Sequence, residues 1–315
     1  MTDIKSPAAF ETVRFQALGT DVLAHSPAAE ALAGQLRDLV AAYEGRLSRF
    51  RPDSEVSRLS RSAGRETRVS GELFELLVLS MAYWRETNGI FDPLILPELE
   101  AAGYDRTFSD LPRVRVDASV SPRASRPVFG SVALHPARRG VCLPDGARLD
   151  LGGIAKGWII DRLGGHLAPH GPFLIDVGGD MAARGAGADS EPGWLISVAS
   201  PFRMDHDVCW LRLEDAAIAT STTMRRRWLG GDRWLHHLID PRTGGSATTD
   251  LAQVTVVAPT AVAADVHAKV ALVLGREAGL QWLLDRSLPG LLVASSGDIV
   301  RTPHWERVEV PVGAE

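Results

Sequence analysis

The sequence predicts a mixed α/β (α+β) fold, a single domain of largely antiparallel sheets with helices packed on them. Three observations support this. Helical and strand-like patterns follow one another in mixed order, without the regular βαβα alternation of a doubly wound parallel sheet. Several short strand patterns succeed one another between residues 173 and 257, separated by turn residues. Amphipathic helical periodicity recurs before and after this region.

The elements read in order as follows. Ser26-Pro27 opens a helical pattern that sets Leu32, Leu36, Leu39, Val40, Tyr43 and Leu47 on one face. Serine as cap and proline at the first helical position suit its start, and Arg46 and Arg49 suit its end. A second helix is predicted from about residue 70 to the Asn88-Gly89 stop, and a short third over 93–103. Residues 112–144 are rich in Arg, Ser and Pro, which predicts loops with one or two strands. Residues 158–167 read as helix, and 173–177 as a buried strand stopping at Gly178-Gly179-Asp180. Strands are expected over 194–198, 208–213, 217–220, 235–239 and 253–257. Thr260 caps a helix through Leu274, and 277–286 gives another. The segments 291–294, 299–301 and 305–310 are strand-like.

Composition narrows the function classes. The chain has 315 residues, 45% of them hydrophobic, which suits a globular protein and excludes general disorder. A net charge of −5 argues against nucleic acid as a partner. Residues 1–16 lack the apolar core of a signal peptide, and no apolar run is long enough to span a bilayer. The two cysteines, Cys142 and Cys209, are far apart and form no C-x-x-C motif. They read as buried small apolar residues in a reducing, cytoplasmic setting. Residues 1–12 are taken as a tail and 13–311 as the domain.

The densest chemistry lies in Asp150-Leu151-Gly152-Gly153-Ile154-Ala155-Lys156-Gly157. Glycines admit a ligand close to the backbone, free N–H groups gather at a helix start, and a lysine adds positive charge. This suits an anion such as a pyrophosphate, although neither a Walker A nor a Rossmann spacing is present. Asp92 precedes Pro93 and reads either as a helix cap or as a contact with a planar ligand. The polar loop Phe50-Arg51-Pro52-Asp53-Ser54-Glu55 reads as a simple turn with a cap. His236-His237 stands before the Asp240-Pro241-Arg242-Thr243-Gly244 turn, where a histidine is either structural or a base near neutral pH. Asp265, Ala268 and Lys269 share a helix face, where the first and last can form an i,i+4 ion pair.

Taken together, these segments resemble the ApbE-type flavin transferases, which move FMN from FAD onto a protein threonine. The resemblance rests on Leu18-Gly19-Thr20, residues 48–55, Gly89-Ile90-Phe91-Asp92-Pro93, residues 149–157 and Asp176-Val177-Gly178-Gly179-Asp180. Ala219-Thr220-Ser221, residues 237–244 and residues 254–260 complete the series, in the family's order and over nearly the whole chain. It implies an FAD cleft lined by Leu18, Phe50, Ile90, Phe91, Asp92, Asp150, Lys156 and Leu238. It implies His237 as the base for transfer, and a magnesium ion held by Asp265 and the Gly153 carbonyl. It also implies an acceptor protein carrying a threonine motif.

The sequence departs from that pattern on the metal helix, where Lys269 stands in place of a hydroxyl ligand. An ammonium offers three donors and no acceptor, so it cannot ligate magnesium. Lys269 is therefore expected either to repel the ion or to substitute for its charge. Thr222-Thr223-Met224 also replaces the usual glycine and polar residue after Ala219-Thr220-Ser221, and Leu94 replaces a frequent threonine. The function expected is FMN transfer from FAD to a threonine or serine with release of AMP. The alternatives are a weakly active or non-catalytic FAD-binding protein, and an FAD pyrophosphatase using water as acceptor.

Overall fold

Eight strands form one sheet in which spatial order follows chain order and every neighbouring pair is antiparallel. They are Glu11–Ala17, Thr20–Ser26, Phe173–Val177, Asp180–Arg184, Ala216–Thr222, Leu251–Ala258, Gly290–Ala294 and Ile299–Arg301. The computed structural model describes residues 10–108, 126–187, 192–203 and 205–311.

Both faces of this sheet are covered. The strand Leu251–Ala258 is buried at all of its positions, which explains why it is apolar on both faces except at Gln253 and Thr255. Successive side chains point to opposite faces. Val254 and Val256 join Ala268 and Leu272 on the helical side, while Val257 joins Ile196, Leu211 and fully buried Trp305 on the other. That second layer is a three-stranded sheet of Trp194–Ala199, Asp207–Leu213 and Glu309–Val310.

The helical layer holds α1 (Ala29–Leu47), α2 (Glu55–Arg61), α3 (Gly71–Glu86), α4 (Leu96–Ala101), α5 (Ala155–Leu167), α6 (Ala261–Leu274) and α7 (Arg276–Leu284). α3 is capped by Ser70, whose hydroxyl accepts from Leu73 N at 3.2 Å, and it ends before Asn88 and Gly89, both at positive φ. α6 is capped by Thr260, as its sequence predicts, but also from outside. Asp161 of α5 accepts from Ala261 N at 2.7 Å and Val262 N at 3.1 Å. Burial raises the Asp161 carboxyl above its ordinary range, and these two N–H groups oppose the rise. α5 lies so close that a Cβ on Gly157 would sit 2.7 Å from the Ala261 carbonyl oxygen.

Several elements differ from expectation for local reasons. The predicted tail yields to sheet at Glu11, where the first strand begins. That strand and the next form a hairpin that turns at Leu18-Gly19, both in the left-handed region at φ 56° and 68°. Two positive φ values match a two-residue primed turn. For leucine this conformation costs about 1 kcal/mol. α1 starts at Ala29 rather than at Ser26-Pro27, because Ser26 ends the second strand, paired with Glu11, and its hydroxyl accepts from Ala28 N at 3.1 Å ahead of the helix. The loop at residues 50–55 leads directly into α2, capped by Ser54. The strand expected over 235–239 is a hairpin, Arg227–Gly230 with Arg233–His236, followed by a short strand Ile239–Asp240. Part of the stretch expected as loops and strands over 112–144 lies outside the described residues. Within it, Ala133–His135 and Gly140–Cys142 pair in a small sheet with Glu66–Arg68. Cys209 is buried and Cys142 half-buried, and both are free thiols. Among the described residues no helix is long and apolar enough to cross a membrane.

The close approach of α5 and α6 makes Gly157 the tightest point of the helical layer. Gly157→Ala is expected to destabilise the protein by about 1–3 kcal/mol, because backbone rather than a flexible side chain must yield. Urea denaturation measures this, and an unchanged midpoint would contradict the packing described.

Candidate active site

The glycine turn is built by its own aspartate. Asp150 Oδ1 accepts from Gly152 N at 2.6 Å, and the Leu151 carbonyl accepts from Ile154 N and Ala155 N to launch α5. Asp150 Oδ2 meets Arg49 Nε at 3.1 Å, with both side chains largely buried. Arg49 donates through Nη2 to the Tyr104 carbonyl at 2.9 Å. Its guanidinium lies 4.1 Å from the Phe50 ring centre and 4.7 Å from that of Tyr104. Asp150 therefore acts by shaping the turn and anchoring Arg49. Phe50, stacked over that arginine, stays exposed to solvent.

Opposite the turn stands α6. Lys269 Nζ donates to the Gly153 carbonyl at 2.9 Å and to Asp265 Oδ1 at 2.7 Å. The lysine stem passes over Gly153, where a Cβ would lie 3.6 Å from Lys269 Cδ and 3.4 Å from the Phe91 ring. Asp265 is buried, and its other oxygen accepts no hydrogen bond among the described residues. The two oxygens expected to face magnesium thus do converge, but on an ammonium. The residue between them on the helix, Ala268, is fully buried and carries no oxygen ligand. No group of three or more His, Cys, Asp or Glu side chains suited to a metal occurs among the described residues. This donor set does not fit a divalent ion.

Lys156, on the first turn of α5, forms an ion pair with Asp180. Asp180 follows the Gly178-Gly179 turn, is buried, and accepts through Oδ1 from Thr220 N at 3.0 Å. Burial works against the charge on Lys156, but the Asp180 and Asp265 carboxylates outweigh it and raise the pKa. Two lysines and two aspartates therefore interleave across α5, α6 and the sheet. A cavity of about 330 Å³, lined by Thr20, Asp176, Gly178, Gly179 and Arg225 among others, adjoins this cluster. Another, of about 760 Å³ beside Asp250 and Arg276, holds none of these residues.

His237 sits in the short loop between the hairpin and Ile239–Asp240. Its backbone N and its Nδ1 approach the Arg226 carbonyl at 3.3 and 3.4 Å. Donation from Nδ1–H selects the tautomer that leaves a lone pair on Nε2. Burial first, and then the charges of Arg226, His236 and Lys269, push the imidazole pKa well below its ordinary value. It is neutral at pH 7. Asp240 has a structural task, gripping Arg242 with both carboxylate oxygens and closing the turn through Gly244 N at 2.8 Å.

The other sequence-predicted residues distribute unevenly. Asp92 is buried, with Oδ1 accepting from Leu94 N at 2.8 Å and Oδ2 paired with Arg126 at 3.0 Å; it closes a local turn and caps no helix, because α4 begins only at Leu96, without a side-chain cap. Phe91 reaches Gly153, and Ile90 packs partly buried against the main core. Leu18 occupies the strained hairpin tip. Leu238 is buried with Val254, Ala268 and Ala271, beneath α6 rather than open to a ligand. Sequence reasoning assigned no role in the site to Arg49, Asp180, Tyr104 or Arg226. Arg226 is exposed, yet its charge acts on His237, Lys156 and Tyr104. The Arg225-Arg226-Arg227 run is its only local signal.

Comparison with known proteins agrees with this frame. The ApbE family profile matches residues 12–292. The chain is 29% identical over 281 residues to an FAD:protein FMN transferase of Klebsiella pneumoniae (strain 342), covering 86% of this chain and 84% of that protein. It is 29% identical over 298 residues to the FAD:protein FMN transferase of Treponema pallidum (strain Nichols), covering 86% and 78%. In structure it is similar to the ApbE protein of Thermotoga maritima, with TM-score 0.85, 24% identity and coverage of 96% of this chain and 100% of that one. The apo flavinyl transferase ApbE of Pseudomonas stutzeri superposes with TM-score 0.80, 22% identity and coverage of 95% and 96%. With the family profile matched along most of its length, this chain belongs to the ApbE family.

Proposed function

We propose that this protein transfers the FMN half of FAD to a threonine or serine hydroxyl of an acceptor protein and releases AMP. The observation that carries this reading is the gathering of cationic side chains, Lys156, Lys269 and Arg226, with a neutral imidazole around the Gly152-Gly153 turn. Breaking a diphosphate places negative charge on phosphate oxygens, which such cations offset. A hydroxyl is a weak nucleophile until a base removes its proton, and His237 Nε2 is a lone pair suited to that task. Relatives named FAD:protein FMN transferase support the reading.

Each group then has a task. Lys156, held charged by Asp180, would bind the diphosphate at the N-terminus of α5, where backbone N–H groups also favour an anion. Exposed Phe50 and strained Leu18 offer apolar surface to the flavin ring. Arg226 shares the surroundings of His237 and Lys156, where it would help hold the leaving AMP phosphate. No divalent ion is assigned a step, because its oxygens are engaged by Lys269.

Two outcomes are expected. Purified protein incubated with FAD and an acceptor domain bearing a threonine motif should yield covalently fluorescent acceptor, with one AMP released per flavin. FAD consumed to FMN and AMP without labelled acceptor would make the protein a pyrophosphatase, and FAD bound without turnover would make it a binding protein. The second outcome concerns pH. A base must be deprotonated to act, and the folded pKa of His237 lies below 6.5. Activity should therefore hold as pH falls to about 6.5 and decline only below it. His237→Asn should lower kcat/KM by about 10²–10⁴-fold. An acidic limb centred above 6.5 would remove His237 from the role of base.

A further inference from the structure

A magnesium ion at a diphosphate acts as an oxygen-bound cation that draws off negative charge. It needs several oxygen ligands in near-octahedral array at about 2.0–2.1 Å. Here the Gly153 carbonyl and Asp265 Oδ1 converge on Lys269 Nζ, at 2.9 and 2.7 Å. An ammonium satisfies such oxygens as a cation does, but it leaves no room between them for a second one. The neighbouring helix position, Ala268, supplies no further ligand.

We propose that Lys269 is the resident cation of this site, so that the chain carries out its reaction without a divalent metal. This rests on the transferase reading above and specifies how its diphosphate is handled. Four features support it. First, the ammonium is tethered by its own side chain and held in place by two acceptors, so no ion has to be captured. Second, those two acceptors use two of its three N–H groups, which leaves the third uncommitted among the described residues for a phosphate oxygen. Third, its single charge is supplemented by Lys156, whose own pKa is raised in part by Asp265, and by Arg226. Fourth, the Asp265 carboxylate pairs with Lys269 and its charge also acts on Lys156, balancing these cations before substrate arrives.

The chemical step needs no other reactant. The acceptor oxygen forms a bond to the FMN phosphorus while its proton passes to His237. The P–O bond to the AMP phosphate breaks, and its electron pair leaves with AMP. The proton on His237 is then returned to solvent or to the departing phosphate.

The test compares the chelator-treated full-length protein with the same protein in millimolar Mg²⁺, using FAD and acceptor. Wild-type rates should agree within about twofold. Lys269→Thr, which removes the ammonium and supplies a hydroxyl ligand, should lose about 10²–10³-fold of the metal-free rate and regain it with Mg²⁺. Lys269→Met, which supplies no oxygen, should lose the rate and not regain it. In parallel, Mn²⁺ binding in the presence of FAD is followed by electron paramagnetic resonance. Lys269→Thr should bind the ion and wild type should not. A wild-type rate that falls more than tenfold on chelation, or stoichiometric Mn²⁺ binding by wild type, overturns the proposal. If no condition labels the acceptor, the transferase reading fails, and the Mn²⁺ comparison still decides whether Lys269 excludes the ion. Should Lys269→Thr not fold, the wild-type arms alone decide.

Discussion

Backbone contact between α5 and α6 is the constraint on which the site depends. Gly153 in the turn before α5 and Gly157 and Asp161 on α5 follow one another at intervals of four, and Ala261, Asp265 and Lys269 do so along α6. The helices run in opposite directions. Asp161 caps α6 at Ala261, Gly157 lets the backbones touch, and the Gly153 carbonyl reaches Lys269. Without a glycine at 157 the helices would stand further apart, and the lysine would not span the turn. One row of packing thus ties together helix capping, close approach and the placement of a cation.

The paired charges are arranged for chemistry more than for stability. A unit ion pair at about 4 Å contributes roughly 4 kcal/mol at an effective dielectric of 20. Desolvation costs several kcal/mol per ion, so a buried pair adds little net stability. The pairs Lys156–Asp180 and Lys269–Asp265 instead keep two cations fixed and balanced while the site is empty. Burial first, and then the same positive field, depress the His237 pKa and so keep a neutral imidazole beside them. Arg49–Asp150 differs. It joins the end of α1 to the glycine turn and uses its carboxylate entirely within the protein.

Much of the secondary structure was legible because local chemistry decided it. Thr260 caps the helix it was expected to cap, the helix expected from about residue 70 starts at Gly71 under a Ser70 cap, and Asn88-Gly89 ends it. Elements missed or misplaced were those set by partners distant in sequence. The first hairpin needs its neighbour Phe173–Val177 to become part of a sheet, and Ser26 is taken up as the last residue of its second strand, so that α1 starts later. The hairpin at 227–236 lies outside the main sheet and carries weak alternation. In the candidate site, the glycine turn, Lys156, His237, Asp265 and Lys269 were singled out from the sequence, and the structure brings them near one another. The sequence could not show that the Asp92 and Asp150 carboxylates turn inward, or that Leu238 lies under α6.

The amino-acid sequence by itself determined the fold class, the family and the presence of a lysine where a metal ligand was expected. These follow from periodicity, from ordered motifs and from residue chemistry, none of which needs three-dimensional contact. Only the tertiary structure decided what that lysine does. Gly153 lies 116 residues from Lys269, so no local pattern could show that its carbonyl binds the ammonium. The same holds for Asp180 beside Lys156 and for the charge of Arg226 acting on His237. Electrostatic roles depend on distance and burial, and chain folding sets both.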